Sequence, residues 1–364
     1  MKTPLPERNL DVLRAIAVLC VLADHFLTVL NLDRDGVISR WEIGRMGVLL
    51  FFVHTSLVLM SSLEREGPRP DWVRAFYLRR ALRIYPLAIA TVLLVVLLRM
   101  PPSADRVVTN VAVAPTLATV ASNLTLTENL AGKPDVLAVL WSLPLEVQMY
   151  VLLPLGFLLA RRGVGAVFGA VSVAAVAGII DIYSGVPGVW RLNITQFVPC
   201  FLGGILAFAI LRKGKRPALP SWCWPLLICA CVPLFALLRP GATTPERGWL
   251  FCLGVGCAIP LTANLPTSFF TRLAHVVCTY SYGIYLLHLV ALWIGFTVLQ
   301  GRPWVIQWGT CLALLVALPA AFYRLIERPG IQLGRRLAAI SPRSSSQDES
   351  RPTSRDSAPE LASP

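Results

Sequence analysis

Charge is scarce in this chain. Of its 364 residues, 15% are charged and 55% are hydrophobic. A soluble domain of this size would hold about a quarter charged residues, so a water-soluble globule is a poor reading. Histidine is scarcer still, with four in all. The nine cysteines contain no C-x-x-C pair, and Cys229 and Cys231 would point to different sides of a helix. Nearly all nine sit in apolar segments and read as small buried residues, so no metal site is indicated. No small-residue cleavage site follows the first apolar stretch, which is therefore expected to stay as the first span. Repeats of the kind that mark many transporters are missing too. So is a second soluble domain, which leaves any chemistry to a helix bundle and its loops.

What is present is a succession of apolar stretches, each long enough to cross a bilayer. Ten are read: 10–31, 43–63, 84–100, 137–160, 164–182, 194–211, 221–239, 248–265, 274–299 and 303–325. The stretch 106–128, rich in Thr, Asn and Ala and broken by Pro115, is assigned to a long loop. Residues 64–83 and 212–220 read as short basic loops. The expected fold is all-α, a polytopic membrane helix bundle of about ten transmembrane helices with both termini cytoplasmic. That topology puts 19 Lys and Arg in the inner connections and 10 in the outer ones, as the positive-inside rule requires. The net charge of +13 is then a matter of topology. Dispersed over short loops, it argues against a nucleic-acid surface. Residues 1–340 are expected to form the membrane domain. Residues 341–364, made of Ser, Pro and charge, are expected to form a disordered cytoplasmic tail.

Several ionisable groups fall inside the spans, where they are costly and face a bundle interior or a wet cavity. Arg14 and His25 stand eleven residues apart in the first span. That is three turns plus roughly 20°, so the two share a helix face about 16 Å apart along the axis. Asp11 lies near that face. Asp24 points about 100° away from His25 and is a poor direct partner for it. Imidazole is suited to moving a proton near neutral pH, although a lone buried histidine is also an ordinary hydrogen-bonded core residue. His54 is a second imidazole at membrane depth, on a helix whose Gly44 and Gly47 permit close packing. Arg80 and Arg83, one turn apart, make a guanidinium fork suited to phosphate; the same pair also reads as a topogenic cluster against lipid headgroups. Glu146 begins an apolar helix flanked by Trp141 and Tyr150, aromatics that also suit a membrane interface. Tyr282, Tyr285 and His288 lie together near the chain's end. Glu327-Arg328-Pro329 is expected to close the last helix.

Six segments in order resemble the acyltransferase-3 family of integral-membrane acyltransferases. They are L-D-x-L-R-A with His25 ten intervening residues after Arg14, G-V-x-x-F-F at Gly47–Phe52, R-x-x-R-I-Y-P at Arg80–Pro86, L-W-S-L-x-x-E-x-x-x-Y at Leu140–Tyr150, Y-S-Y-G-I-Y-L-x-H at Tyr280–His288 and E-R-P at Glu327–Pro329. Where many members carry a Ser-Gly pair, this chain has Thr55-Ser56. A C-terminal hydrolase-like domain is not seen, which suggests a stand-alone member. The resemblance implies O-acyl transfer, often of acetyl, from cytoplasmic acyl-CoA to a hydroxyl of a glycan or related acceptor. It implies residence in the cell membrane among lipid, no permanently bound cofactor and no nucleic-acid partner. His25 would be the general base. Arg14 would place His25's partner or stabilise charge on the thioester carbonyl. Arg80 and Arg83 would hold coenzyme A phosphates. Asp11, Asp24, His54, Trp141, Glu146, Tyr150, Tyr282 and His288 would line or support the cavity. The alternative is a transporter or flippase of a glycan or lipid-linked substrate.

Overall fold

A computed structural model describes residues 5–30, 40–66, 71–102, 114–183, 194–214, 217–237 and 244–339. The expected tail from 341 onward, and part of the loop 101–136, lie outside them. The described residues form an all-α bundle. In chain order it comprises α1 (Glu7–Val29), α2 (Arg40–Glu66), α3 (Trp72–Leu97), the short α4 (Leu117–Leu124) and α5 (Glu128–Ala131), α6 (Ser142–Arg162), α7 (Val164–Tyr183), α8 (Ile194–Arg212), α9 (Cys223–Ala236), α10 (Pro245–Leu261), α11 (Phe269–Trp293), α12 (Trp304–Phe322) and α13 (Arg328–Ala339). A 3-10 turn, Ala138–Trp141, leads into α6, and π-helical turns at Ile294–Val298 and Tyr323–Glu327 extend α11 and α12.

Each expected apolar stretch contains a helix, and among the described residues eight spans are long and apolar enough to cross a membrane. The other two expected spans are shorter: α9 has 14 residues and α10 has 17. Ten full-length spans is therefore corrected to eight with two shorter apolar helices. Outward-facing residues such as Val173, Val176 and Ile180 of α7 and Val316 of α12 remain exposed. Hydrocarbon is the solvent that suits such a surface, and only helices with internally satisfied backbone cross it. The protein is a multi-pass membrane protein.

Two more expectations give way. The segment 64–83 is not a loop. Helix α2 runs on to Glu66 and α3 already begins at Trp72. Arginine is a good helix former, and a hydropathy reading cuts the helix short at charges that the fold pairs. Arg79, for instance, donates to Glu66 across the α2–α3 turn. Nor does Glu327-Arg328-Pro329 end the last helix. The π-helical turn carries the chain into α13, and Pro329 sits just where the π turn passes back to α-helix. Pro86 leaves the Leu82 carbonyl without its usual i+4 donor. Gly330 of α13 packs on that carbonyl so closely that a Cβ there would lie 2.5 Å from it.

Glycines set the packing of the central helices. A Cβ at Gly47 would lie 2.5 Å from the Ala17 carbonyl of α1. A Cβ at Gly44 would strike the Asp24 carboxylate, so Asp24 faces α2, as its angle from His25 requires. Helix α8 is held between α2 and α10 in the same way, through Gly204 and Gly203. Helices α1 and α11 run parallel, since Asp11 meets His275, Arg14 meets Ser281 and His25 meets His288. Parallel helices need an odd number of crossings between them. The crossing count meets this whether α9 and α10 both cross or both turn back.

Candidate active site

The parallel pair α1–α11 is the spine of the site. Near its start, Asp11 accepts from His275 Nδ1 at 2.8 Å, and His275 is 70% exposed. Asp11 lines none of the cavities described below; its hydrogen bond to His275 joins α1 to α11. Three residues on, Arg14 Nε donates to Ser281 Oγ at 2.6 Å, and its guanidinium lies over the Phe51 ring at 5.8 Å. Toward the other end, the rings of His25 and His288 stand 5.0 Å apart. His288 Nδ1 lies 3.0 Å from the Ile284 carbonyl. A carbonyl only accepts, so Nδ1 carries the proton and Nε2 keeps its lone pair. That Nε2 is buried without a hydrogen-bond partner.

Three cavities follow this spine. The first, at the His25 end, is a vestibule of about 610 Å³. Asp24, His25, Arg45, Trp41, Trp141 and Tyr285 help form its wall, with Asn129, Lys133 and Asp135 from the connection after α3. The second is a chamber of about 40 Å³ beside Arg14, Phe51, Thr55, Leu143, Glu146 and Tyr282. The third, of about 50 Å³, is lined by Arg14, His54, Arg80, Arg83, Glu146 and Tyr150. Val48 and Tyr285 border both vestibule and chamber, while Arg14, Thr55, Glu146 and Tyr282 border both chamber and third cavity. The three cavities thus lie in series between His25 and the arginine cluster, an interrupted passage divided by shared walls.

Tyr285 is the wall between the first two compartments. Its hydroxyl lies 2.7 Å from the Val139 carbonyl and 2.7 Å from Ser142 Oγ. It donates to the carbonyl and accepts from the serine. Tyr282 donates to the Ile84 carbonyl at 2.9 Å, tying α11 to α3 beside the arginines. Tyr150 donates to Glu146, which keeps that carboxylate turned into the passage. Arg83 lies 3.9 Å from the buried Glu327. Arg80 Nε and His54 Nδ1 are buried with no hydrogen-bond partner. Three guanidiniums against one lining carboxylate make the third cavity electropositive, which suits a phosphorylated ligand.

Of the residues singled out in the sequence, His25, Asp24 and Trp141 meet in the vestibule. Arg14, His54, Arg80, Arg83, Glu146, Tyr150 and Tyr282 meet at the other end. His288 supports His25 from behind instead of lining a cavity. Arg45, Asn129, Lys133, Asp135 and Ser281 were not legible as site residues. The first four lie in polar stretches typical of connections and helix ends, and only packing brings them to His25. Asp135 is buried enough to push its carboxyl up to about 6.

A family model described as an acyltransferase domain matches residues 7–324, nearly the whole chain. No curated protein and no solved structure matches it significantly. The matched span contains the three histidines of the spine and all three cavities. The chain belongs to the acyltransferase-3 family and is a membrane-embedded acyltransferase.

Proposed function

We propose that the protein moves an acyl group, most simply acetyl, from cytoplasmic acyl-CoA at the Arg80–Arg83 end to a hydroxyl of a glycan or related acceptor in the vestibule. The observation that carries this reading is the interrupted passage, with a phosphate-suited cluster at one end and an imidazole at the other. Arg80 and Arg83 hold coenzyme A phosphates, and the acyl-bearing arm threads past Arg14 toward His25, about 16 Å along the helix. His25 takes the proton as the acceptor oxygen attacks the thioester carbon. The C–O bond forms, the C–S bond breaks, and the leaving coenzyme A thiolate takes the proton back from the His25 imidazolium before departing toward the basic end. Arg14 opens into the chamber and the third cavity but not the vestibule, so its part is to guide the donor, not to hold charge beside His25. The chamber of about 40 Å³ suits a short acyl group and is too narrow for a sugar, which favours acyl transfer over glycan transport. With the Lys and Arg bias inward, the vestibule opens outside the cell membrane.

Replacement His25→Ala tests the proposal in purified membranes with labelled acyl-CoA. General-base catalysis contributes about 10²–10⁴-fold, so transfer should fall by at least ~10²-fold while coenzyme A still binds. Normal product formation by this variant rejects the assignment.

A further inference from the structure

The vestibule presents hydrogen-bond donors that the protein itself does not use. Arg45 of α2 lines it, and its buried Nε has no hydrogen-bond partner. Asn129 of α5 lines it as well. Its Oδ1 accepts from Gln148 Nε2 at 3.1 Å, and its buried amide nitrogen has no partner. Lys133 adds an exposed ammonium to the same wall. Among the described residues neither Arg45 nor Lys133 takes part in an ion pair. Burying a guanidinium nitrogen without an acceptor is costly. A carboxylate or phosphate is the ligand that removes this cost, because the guanidinium fork can bind two of its oxygens by parallel bonds.

Two carboxylates share the vestibule. Asp24 is seated against Gly44, and Asp135 lies on the same connection as Asn129 and Lys133. Neither pairs with Arg45. Carboxylates accept from hydroxyls, and Trp41 and Trp141 add aromatic surface to the wall. The wall therefore provides acceptors for hydroxyl groups and, separately, donors for a negative charge.

We infer that the vestibule selects an acceptor bearing an oxyanion, either a ring carboxylate or a phosphate ester. Arg45, Asn129 and Lys133 hold that group while a neighbouring hydroxyl meets His25. The placement of the hydroxyl rests on the acyl-transfer reading; the anion site does not.

Calorimetry on the full-length protein in detergent, near neutral pH and at fixed ionic strength, tests this. The probes are glucuronate, glucose phosphate and glucose. At least one anion should bind about tenfold or more tightly than glucose, as charge-assisted hydrogen bonds imply, and the better anion tells carboxylate from phosphate. Arg45→Gln should erase the preference without changing coenzyme A affinity, because Arg45 does not line the third cavity. That property also separates vestibule binding from phosphate binding at Arg80 and Arg83. Lys133→Gln, at an exposed position, should weaken the same anion and serves if the Arg45 variant does not fold. Equal binding of glucose and both anions overturns the inference, as does a preference that survives both replacements. Anion binding by a protein that transfers no acyl group supports the site while rejecting the proposed reaction.

Discussion

Glu128 shows how one residue in the connection after α3 ties stability to pH. It is 1% exposed, and neither carboxyl oxygen has a hydrogen-bond partner. Burial pushes its carboxyl up to about 8 from an ordinary 4.5, with Asp135 adding to the shift. Between those two values the folded protein keeps a proton that the unfolded chain has released. Stability must therefore fall as pH rises from about 4.5 to about 8, and level off above. Glu128→Gln removes the titrating group. Its melting temperature should match the wild type near pH 5 and exceed it increasingly toward alkaline pH. Melts in detergent across this range check the point; a gap that does not change with pH would refute it. Glu128 opens α5, whose next residue is Asn129, so loosening there would reach the vestibule wall.

Among the elements, α8 is enclosed between α2 and α10 at glycine contacts. A Cβ on Gly204 would stand 2.1 Å from both Ser56 Oγ and the Val53 carbonyl of α2. Backbone atoms of a packed helix cannot retreat that far, and overpacking of this kind costs about 1–3 kcal/mol. Gly204→Ala should lower the melting temperature and loosen α2, which carries Arg45 and His54. Gly254, on the neighbouring α10, has nothing within 4 Å of its Cβ position. Gly254→Ala should be neutral or stabilising by up to about 1 kcal/mol, the helix propensity gained. Equal losses in the two variants would show that close approach is not what Gly204 provides.

At the scale of the whole molecule, the proposed reaction requires the passage to let an acyl group through without letting water reach the thioester. Tyr285 holds that division, locked by Ser142 and the Val139 carbonyl. Tyr285→Ala should join the vestibule of about 610 Å³ to the chamber of about 40 Å³. Release of coenzyme A thiol without acceptor should then rise, and the share of acyl groups reaching acceptor should fall. Tyr285→Phe, which keeps the ring, should do less. Thiol release unaltered by removal of the ring would mean that the barrier lies elsewhere.

The sequence by itself determined the solvent and the class of fold. A low density of charge with repeated apolar runs permits only helices in a bilayer, because backbone groups there must bond within their own segment. It also placed Arg14 and His25 on one face, since helix geometry fixes angles between residues on a single element. The basic stretch that opens α3 misled because hydropathy counts arginine as a break, whereas Arg79 and Arg83 meet Glu66 and Glu327 through the fold. Only tertiary structure decided that Asp11 turns to His275, that His288 stands behind His25, and that Arg45, Asn129 and Lys133 share the vestibule. These groups lie on different elements, and spacing along the chain carries no information about which faces of separate helices meet.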